Sequence, residues 1–503
     1  MPFTLELTDG TDTVDFITED FQVEDGGLQV TPPEEVQTWT DPSTEGGSRL
    51  VDSRLGNRTI TITFQISGQD RQDIRQGINR INALLRTATL HSLGQGEDRV
   101  SLLYGWDGVN EVDNFEVFYG KLVLPDDVLS VEKMLTTWGS GEAVVYRLRG
   151  CQLTLTVSPH AYGLSPSTGT LIELPLSNRN GTNVTGGLIV HNFTDPRVGF
   201  TYNGNYVDNY VDILGEDILG DSPAKVRIEI RENFSNASEL DMVRIGAHEN
   251  NGVKTHFHWA DSDVSLFIPG APQSNGSYVL GGTYWRANAA TSRTYTGRFW
   301  RVRIQNPENY GSKKYRVFMS TGFWPMFYRT GTPMQLTVTN DQYMTLAEGP
   351  IMEQHWSSSG HAMIQDLGVI QLPPYSPKLP NPQDIYLTLN LLGGGPQDYL
   401  LSLNYIWLLP VEAGYRVLKL HDGLVNFIPS YGTLVDDNWE GLSYLTGAAG
   451  SVSAVQDMFA PITLTPGKDH RIYFNFAGHD YIPQLAYHYN VRVFYSPAYT
   501  GAV

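Results

Sequence analysis

Cysteine is nearly missing from this chain: Cys151 stands alone among 503 residues. One thiol excludes a disulfide framework within the chain and a multi-thiolate zinc site. Cys151 heads the alternating run Leu153–Val157, which makes it an inert core residue. Long apolar runs are missing too. No stretch approaches membrane-spanning length, and the N-terminus has neither the basic nor the apolar region of a signal peptide. The expectation is a soluble protein made in a cytoplasm. Positive charge is scarce, with 34 Lys and Arg against 54 Asp and Glu, a net charge of −20. Phosphates are repelled by such a surface, so the chain is a poor general binder of nucleic acid. There is no Gly-X-Ser-X-Gly elbow, phosphate-binding glycine loop or dinucleotide fingerprint. The Gly393–Gly395 run precedes strand-like residues rather than a helix, and no internal repeat is found. Asn192, Asn233 and Asn275 open Asn-X-Ser/Thr triplets, which in such a chain are chance matches.

Glycine, proline, tyrosine and threonine are plentiful, and short β-favouring runs separated by turn residues dominate after residue 90. The fold class is therefore mainly β, made of antiparallel sandwiches or barrels. One convincing helix interrupts the pattern. Ile60, Ile62, Phe64 and Ile66 alternate with polar residues, giving a half-buried strand over 59–67 that Gly68 ends. Asp70 then caps a helix over 70–87 whose stripe is Ile74, Ile78, Ile81 and Leu85. Its other face carries Arg71, Arg75, Arg80 and Arg86. Further strands are expected at 3–7, 27–31, 100–105, 114–124 and 143–158. Asp and Glu from Glu6 to Glu45 precede almost any base. They read as a solvated, turn-rich surface, or else as an acidic face past which DNA slides without sticking.

Residues 50–87 and the closing stretch 150–163, with its Ser158–Gly163 proline–tyrosine turn, resemble the N-terminal domain of the distal tail protein family of long-tailed phages. The resemblance covers about a third of the chain and leaves the acidic residues 1–45 unmatched. It implies a structural, non-enzymatic virion protein of the phage tail, at the baseplate hub where tube meets tip. Copies would close into a homohexameric ring, with the tail tube and tip or hub proteins as partners and the genome passing through unbound. Arg71, Arg75 and Arg80 are the candidate ring interface, since a basic face can meet an acidic complement on the next copy.

Residues 1–165 form the expected ring domain and 170–420 a large sandwich. Residues 421–503 form a further β-rich segment. The second region resembles jelly-roll, carbohydrate-binding-like modules of phage and prophage tail proteins, so a host-surface saccharide is a possible partner. Sugars stack on flat aromatic faces. Trp285, Tyr284 and Trp300 are the candidate contacts, because Tyr284–Trp285 lies between a Gly-Gly turn and a polar loop. Trp259, Trp324, Trp356, Tyr278, Tyr295 and Tyr328 also crowd the region. No catalytic residue, cofactor or metal is expected. His256 and His258 share a strand face, with His248, His355 or His361 as conceivable third ligands. A solvated or hydrogen-bonded pair is the favoured reading. Asp261–Asp263 and Asp436–Asn438 resemble pieces of calcium loops but lack the later glutamate and turn glycine. The rival readings are a polysaccharide-degrading tail enzyme and a free carbohydrate-binding protein.

Overall fold

The computed structural model describes residues 3–40, 49–95, 98–106, 111–125, 132–138, 141–162, 171–178, 181–191, 201–202, 205–206, 209–232, 238–239, 242–249, 254–274, 283–287, 296–305, 314–321, 333–353, 364–373, 384–392, 402–411, 414–420, 427–428, 432–439, 441–446, 452–454, 456–458, 461–477 and 489–500. Two compact units divide the chain. The first is Met1–Ile172 with Leu219–Ser222 and Ser496–Val503; the second is Glu173–Ile218 with Pro223–Tyr495.

Unit 1 contains β1 (Phe3–Thr8), β2 (Thr13–Asp15), β3 (Phe21–Val30), β4 (Glu35–Thr40), β5 (Arg49–Leu55), β6 (Arg58–Gly68), α1 (Arg71–Ser92), β7 (Ser101–Trp106), β8 (Glu111–Val123), β9 (Glu132–Trp138), β10 (Gly141–Val157) and β11 (Ala161–Tyr162). Its antiparallel order is β2-β1-β7-β8-β10-β6-β3. The alternation of β6 sets the register. Ile60, Ile62, Phe64 and Ile66 are buried, opposite Leu155, Leu153, Cys151 and Leu148 of β10. The acidic N-terminal stretch is part of this sheet, because β1 pairs with β7 and β3 with β6.

Helix α1 closes the core. The Asp70 carboxylate accepts from the Gln72 and Asp73 amides at 2.6 and 2.9 Å, and Asp73 Oδ2 accepts from the Gln69 amide at 2.8 Å. This reciprocal cap satisfies amides that the first turn leaves without partners. Ile74, Ile81, Leu84, Leu85 and Ala88 are buried, while Ile78 is only partly so. Each large aliphatic side chain removed from water contributes roughly 1.5–3 kcal/mol. The helix runs to Ser92 rather than 87. Ala88 continues the buried stripe, and no breaker occurs before Gly94, which takes φ +70°. Close approach to the sheet requires Gly120 on β8, where a Cβ would lie 2.4 Å from Leu85 Cδ2.

Distant segments complete unit 1. Ala498–Tyr499 pairs with β11, and Gly220 at φ +108° forms a bridge to Ala498. Arg58 donates from Nε to the Pro159 carbonyl at 2.6 Å and from Nη2 to the Thr500 carbonyl. The Thr500 amide donates to Asp221 at 2.6 Å. Residues 173–495 are thus inserted into unit 1 along the chain, apart from the return at 219–222.

Within unit 2 the same arrangement recurs. One sheet includes Tyr489–Tyr495, Ala224–Glu232, Thr433–Asp437 and Leu442–Thr446 in that order; another includes Tyr210–Ile213, His470–Ala477, Met242–Glu249 and Tyr415–Lys419. Strands on either side of residue 420 share both sheets. Residues 256–410 form sheets of their own, around a core that includes Phe257, Trp300, Val317, Leu336, Leu387 and Leu408. A smaller cluster, with Phe318, Tyr405, Trp407, Tyr415, Val417 and Tyr473, joins the inserted strands to the surrounding ones. The prolines at 374, 377, 380 and 382 and the Gly393–Gly395 run lie outside the described residues.

Candidate interaction surfaces

The apolar stripe of α1 is used up inside unit 1, which leaves its polar face for other work. Arg71, Arg75, Arg80 and Arg86 are all exposed. Arg80 donates from Nη2 to the Thr13 carbonyl at 2.5 Å. Among the described residues, Arg71, Arg75 and Arg86 have no carboxylate within ion-pair distance. A cavity of about 440 Å³ opens beside the helix start, lined by Asp20, Phe21, Ser67, Asp73, Gly77 and Arg80 among others. Asp12, Glu19 and Asp20 are exposed on the turns flanking β2, and Asp25 is exposed within β3. Surplus carboxylates and unpaired guanidinium groups therefore occupy the same unit without neutralising one another.

A second feature of unit 1 is the β4–β5 hairpin. Its strands pair with each other, Glu35 opposite Leu55 and Thr40 opposite Arg49, and with no other strand among the described residues. Val36 and Leu55 are exposed. An isolated two-stranded ribbon is marginal in water, so such a hairpin gains most from a surface to lie on.

The expected saccharide contacts are corrected by burial. Trp300 is 0% exposed, Tyr284 4% and Trp285 6%. The Trp300 indole donates to Met319 Sδ at 3.2 Å, and Trp285 packs against Phe299 with ring centroids 6.2 Å apart. These rings fill the sandwich core, and none offers a free face to a sugar. Both faces of these strands are covered: the neighbours Tyr284 and Trp285, and Phe299 and Trp300, point to opposite sides and are all buried. Trp259 is half-buried, its indole donating to the Thr283 carbonyl at 3.2 Å. Trp324, Trp356, Tyr278, Tyr295 and Tyr328 lie outside the described residues, as do His355 and His361.

His256 and His258 do share a strand, His256–His258. His256 stacks on Trp407 at 5.3 Å, and its Nε2 lies 3.3 Å from Asn209 Nδ2. His258 Nδ1 accepts from the Ala260 amide at 3.3 Å. No group of three His, Cys, Asp or Glu is arranged to hold a metal among the described residues. At the two acidic motifs the counterion is a side chain. Lys254 Nζ lies 3.2 Å from Asp261 Oδ2 and 2.8 Å from Asp263 Oδ2. Burial alone would raise the Asp263 carboxyl, but the Lys254 and Gln305 hydrogen bonds hold it below its ordinary value. Asp436 ends in no loop. It is 0% exposed within the strand Thr433–Asp437 and receives Arg416 Nε and Nη2, with Ser443 and Asn438 completing its bonds.

Cys151 is buried, and burial with the nearby Glu24 pushes its thiol up to about 12. It is not a nucleophile at neutral pH. Sequence reasoning missed Arg58 as the clamp on residues 498–500 and Arg416 as the partner of Asp436. No local pattern announces either, since the Arg58 contact spans 442 positions.

No protein-family model matches the chain, and no curated protein matches it. Among solved structures it is similar to the Dit protein of phage SPP1, described as a paradigm of hub adsorption apparatus in Gram-positive infecting phages. That alignment has 8% identity, covers 99% of each chain and has a TM-score of 0.26. The phage P2 baseplate in its activated conformation with Ca gives 9% identity over 77% of this chain and 98% of that chain, TM-score 0.22. The form with Sr gives 10% identity over 77% and 98%, TM-score 0.19. Identities and TM-scores at this level assign the chain neither a fold nor a partner.

Proposed function

We propose that this chain is a structural protein of a phage tail, placed at the distal tail or baseplate hub, in which unit 1 closes into a ring and unit 2 serves assembly or adhesion. The observation that carries the reading is the division of labour on α1. Its apolar stripe is consumed within unit 1, while Arg71 and Arg75 stand exposed and without an ion-pair partner among the described residues, in a unit that also exposes Asp12, Glu19 and Asp20. In a cyclic assembly each basic face meets the acidic face of the next copy, and repetition closes the ring. The unsupported β4–β5 hairpin fits the same role, as a ribbon that a neighbouring copy would cover. The strand–helix resemblance to distal tail proteins makes a hexamer the expected closure. It also makes the tail tube and the tip proteins the expected partners. Carboxylates facing the channel would repel phosphates, so the genome would pass without specific contacts. The sandwiches of unit 2 would reach tail components or saccharides of a host surface.

Arg80 is engaged by the Thr13 carbonyl, so the interface test centres on Arg71 and Arg75. Mass photometry of the full chain should find a closed oligomer, six copies in the expected case. Arg71→Glu with Arg75→Glu should yield a folded monomer. A parent that stays monomeric at high concentration refutes the ring, and a ring that survives charge reversal shows that this helix face is merely solvated.

A further inference from the structure

His470 is 0% exposed at the head of the strand His470–Ala477, paired with Ile213 on one neighbouring strand and Glu249 on the other. It holds the turn that precedes it. Thr465-Pro466-Gly467-Lys468 has the residue pattern of a type II turn. The proline presets the second position, Gly467 takes φ +72°, and the Lys468 amide donates to the Thr465 carbonyl at 3.3 Å. The first residue of the turn is gripped twice. The Thr465 amide donates to His470 Nε2 and the Thr465 hydroxyl to Glu249 Oε1, both at 2.8 Å. The last residue reaches the same carboxylate, with Lys468 Nζ 2.7 Å from Glu249 Oε2. The tip docks on the short 3-10 helix Gly215–Asp217. There the Gly467 amide donates to the Gly215 carbonyl at 3.1 Å, and the Gly215 amide to Asp469 Oδ1 at 3.0 Å. The approach is close enough to require glycine, since a Cβ on Gly215 would lie 2.5 Å from the Gly467 carbonyl carbon.

One bond in this set depends on a proton. To accept from the Thr465 amide, His470 Nε2 must present a lone pair, so the closed turn holds a neutral imidazole protonated at Nδ1. Among the described residues Nδ1 has no hydrogen-bond partner. A second proton goes to Nε2, where it faces the amide hydrogen and breaks the bond. The acceptor it finds is the Thr465 carbonyl, 3.2 Å from Nε2, which also closes the turn. Burial holds the ring below its ordinary 6.5; the Thr465 carbonyl, Glu249 and Asp469 pull the other way, and Lys468 adds to the lowering. From the strand Tyr210–Ile213 the facing residue is apolar Ile213. Opening the turn lets water reach the ring, which then titrates at its ordinary value. Falling pH therefore favours the open turn from 6.5 downward.

We propose that His470 makes the Thr465–Lys468 turn an acid-released latch, closed on Gly215 while the imidazole is neutral and open once it takes a second proton. Glu249 is the second holder. It stays ionised through that step, because Lys468 and Thr465 keep its carboxyl below 4.5. The latch fixes or frees Gly215–Asp217, and Ile218 is the last residue of unit 2 before the chain passes to Leu219 of unit 1. It requires neither ring formation nor adhesion.

The test follows amide hydrogen exchange of the full chain between about pH 7.5 and about pH 5, corrected for the intrinsic pH dependence of exchange. Protection of residues 464–470 should fall about fivefold or more over that range. Residues 339–345 supply the control. Their turn is held by Asn340 Oδ1, which accepts from the Gln342 and Met344 amides at 3.0 and 2.8 Å and does not titrate, so their protection should stay constant. His470→Gln keeps an acceptor for the Thr465 amide but takes up no proton, and should hold its protection throughout. Lys468→Gln removes a cation that disfavours the imidazolium, and should move the midpoint of release to higher pH. Lys468 is exposed, so this variant decides the matter if calorimetry finds His470→Gln unfolded. Constant protection of 464–470 in the parent overturns the latch, as does an equal loss at 339–345. A folded His470→Gln protein that loses protection as the parent does overturns it too, and so does a Lys468→Gln midpoint that stays or falls.

Discussion

Unit 1 and unit 2 bury sheet faces with different chemistry. The unit 1 core is aliphatic and phenylalanine-rich, sealed by one helix whose arginines are left outside; its buried charged residues, among the described ones, are Arg58, Arg99 and Glu116. Unit 2 brings paired charge and hydrogen-bonding groups into its interior and onto its half-buried sheet faces. Arg416 meets Asp436, Arg244 donates to Asn475 at 2.9 Å and lies 4.8 Å from the Phe318 centroid, and Arg471 grips Asp212 at 2.6 and 2.8 Å. A core of apolar side chains needs only the right pattern and volume. A core with buried ions needs each partner in place, because removing one leaves the other uncompensated. The comparison teaches that unit 1 is specified by periodicity, and the joint inside unit 2 by particular pairs.

The sharpest way to break this comparison is to place a charge on the buried stripe of α1, which has none. Ile81 is 0% exposed at the centre of the α1 stripe. Ile81→Asp buries a carboxylate with no partner and should cost about 5 kcal/mol or more, enough to unfold unit 1. Scanning calorimetry should then lose one transition while that of unit 2 persists. A single shifted transition for the whole chain would show that the units do not unfold separately.

The converse experiment removes a charge where unit 2 has a pair. Asp436→Ala leaves the Arg416 guanidinium, 7% exposed, without its carboxylate, and should cost about 3–5 kcal/mol. The double variant Arg416→Met, Asp436→Leu should recover most of that loss, since a well-packed apolar replacement of a buried pair is often neutral. Chemical denaturation of the three proteins decides it. A double variant as weak as the single would mean that Ser443 and Asn438, which also bond Asp436, need the ion pair to be satisfied.

The same contrast explains what could be read in advance. The strands at 3–7, 59–67, 100–105, 114–124 and 143–158 and the helix capped by Asp70 follow from spacing within a dozen residues, and the structure has them within a few positions. The separate β4–β5 hairpin and the hydrogen bonds of Arg58 to residues 159 and 500 depend on where remote segments arrive. So do Arg244 with Asn475 and Arg471 with Asp212, partners 231 and 259 positions apart. The aromatic site failed for a related reason. The flanking turns of Tyr284 and Trp285 suggest exposure, but both faces of the strands Thr283–Ala287 and Gly297–Ile304 are covered, which puts these rings and Trp300 inside.

The smallest expected effect is a difference in how the two units respond to acid. In unit 1, burial and then the nearby Asp15 raise the Glu6 carboxyl above its ordinary 4.5. The folded state then takes up that proton more readily than the unfolded chain, so lowering the pH through the raised value relieves a penalty and favours unit 1. In unit 2 the direction is opposite. The hydrogen bond from Arg492 holds Glu173 below 4.5. Burial alone would raise Glu249, but Lys468 and Thr465 outweigh it and hold it below 4.5 as well. Those carboxylates contribute stability that is complete above the unfolded value of 4.5 and is lost as the pH falls through their depressed folded values. These groups are partly solvated, so the shifts should be modest. Melting the full chain from pH 7 downward should therefore lower the unit 2 transition below pH 4.5, relative to that of unit 1. Glu173→Gln should flatten part of the unit 2 dependence, and Glu6→Gln should remove the opposing trend in unit 1. Parallel decline of both transitions in all three proteins would show that general charge effects, not these carboxylates, set the acid response.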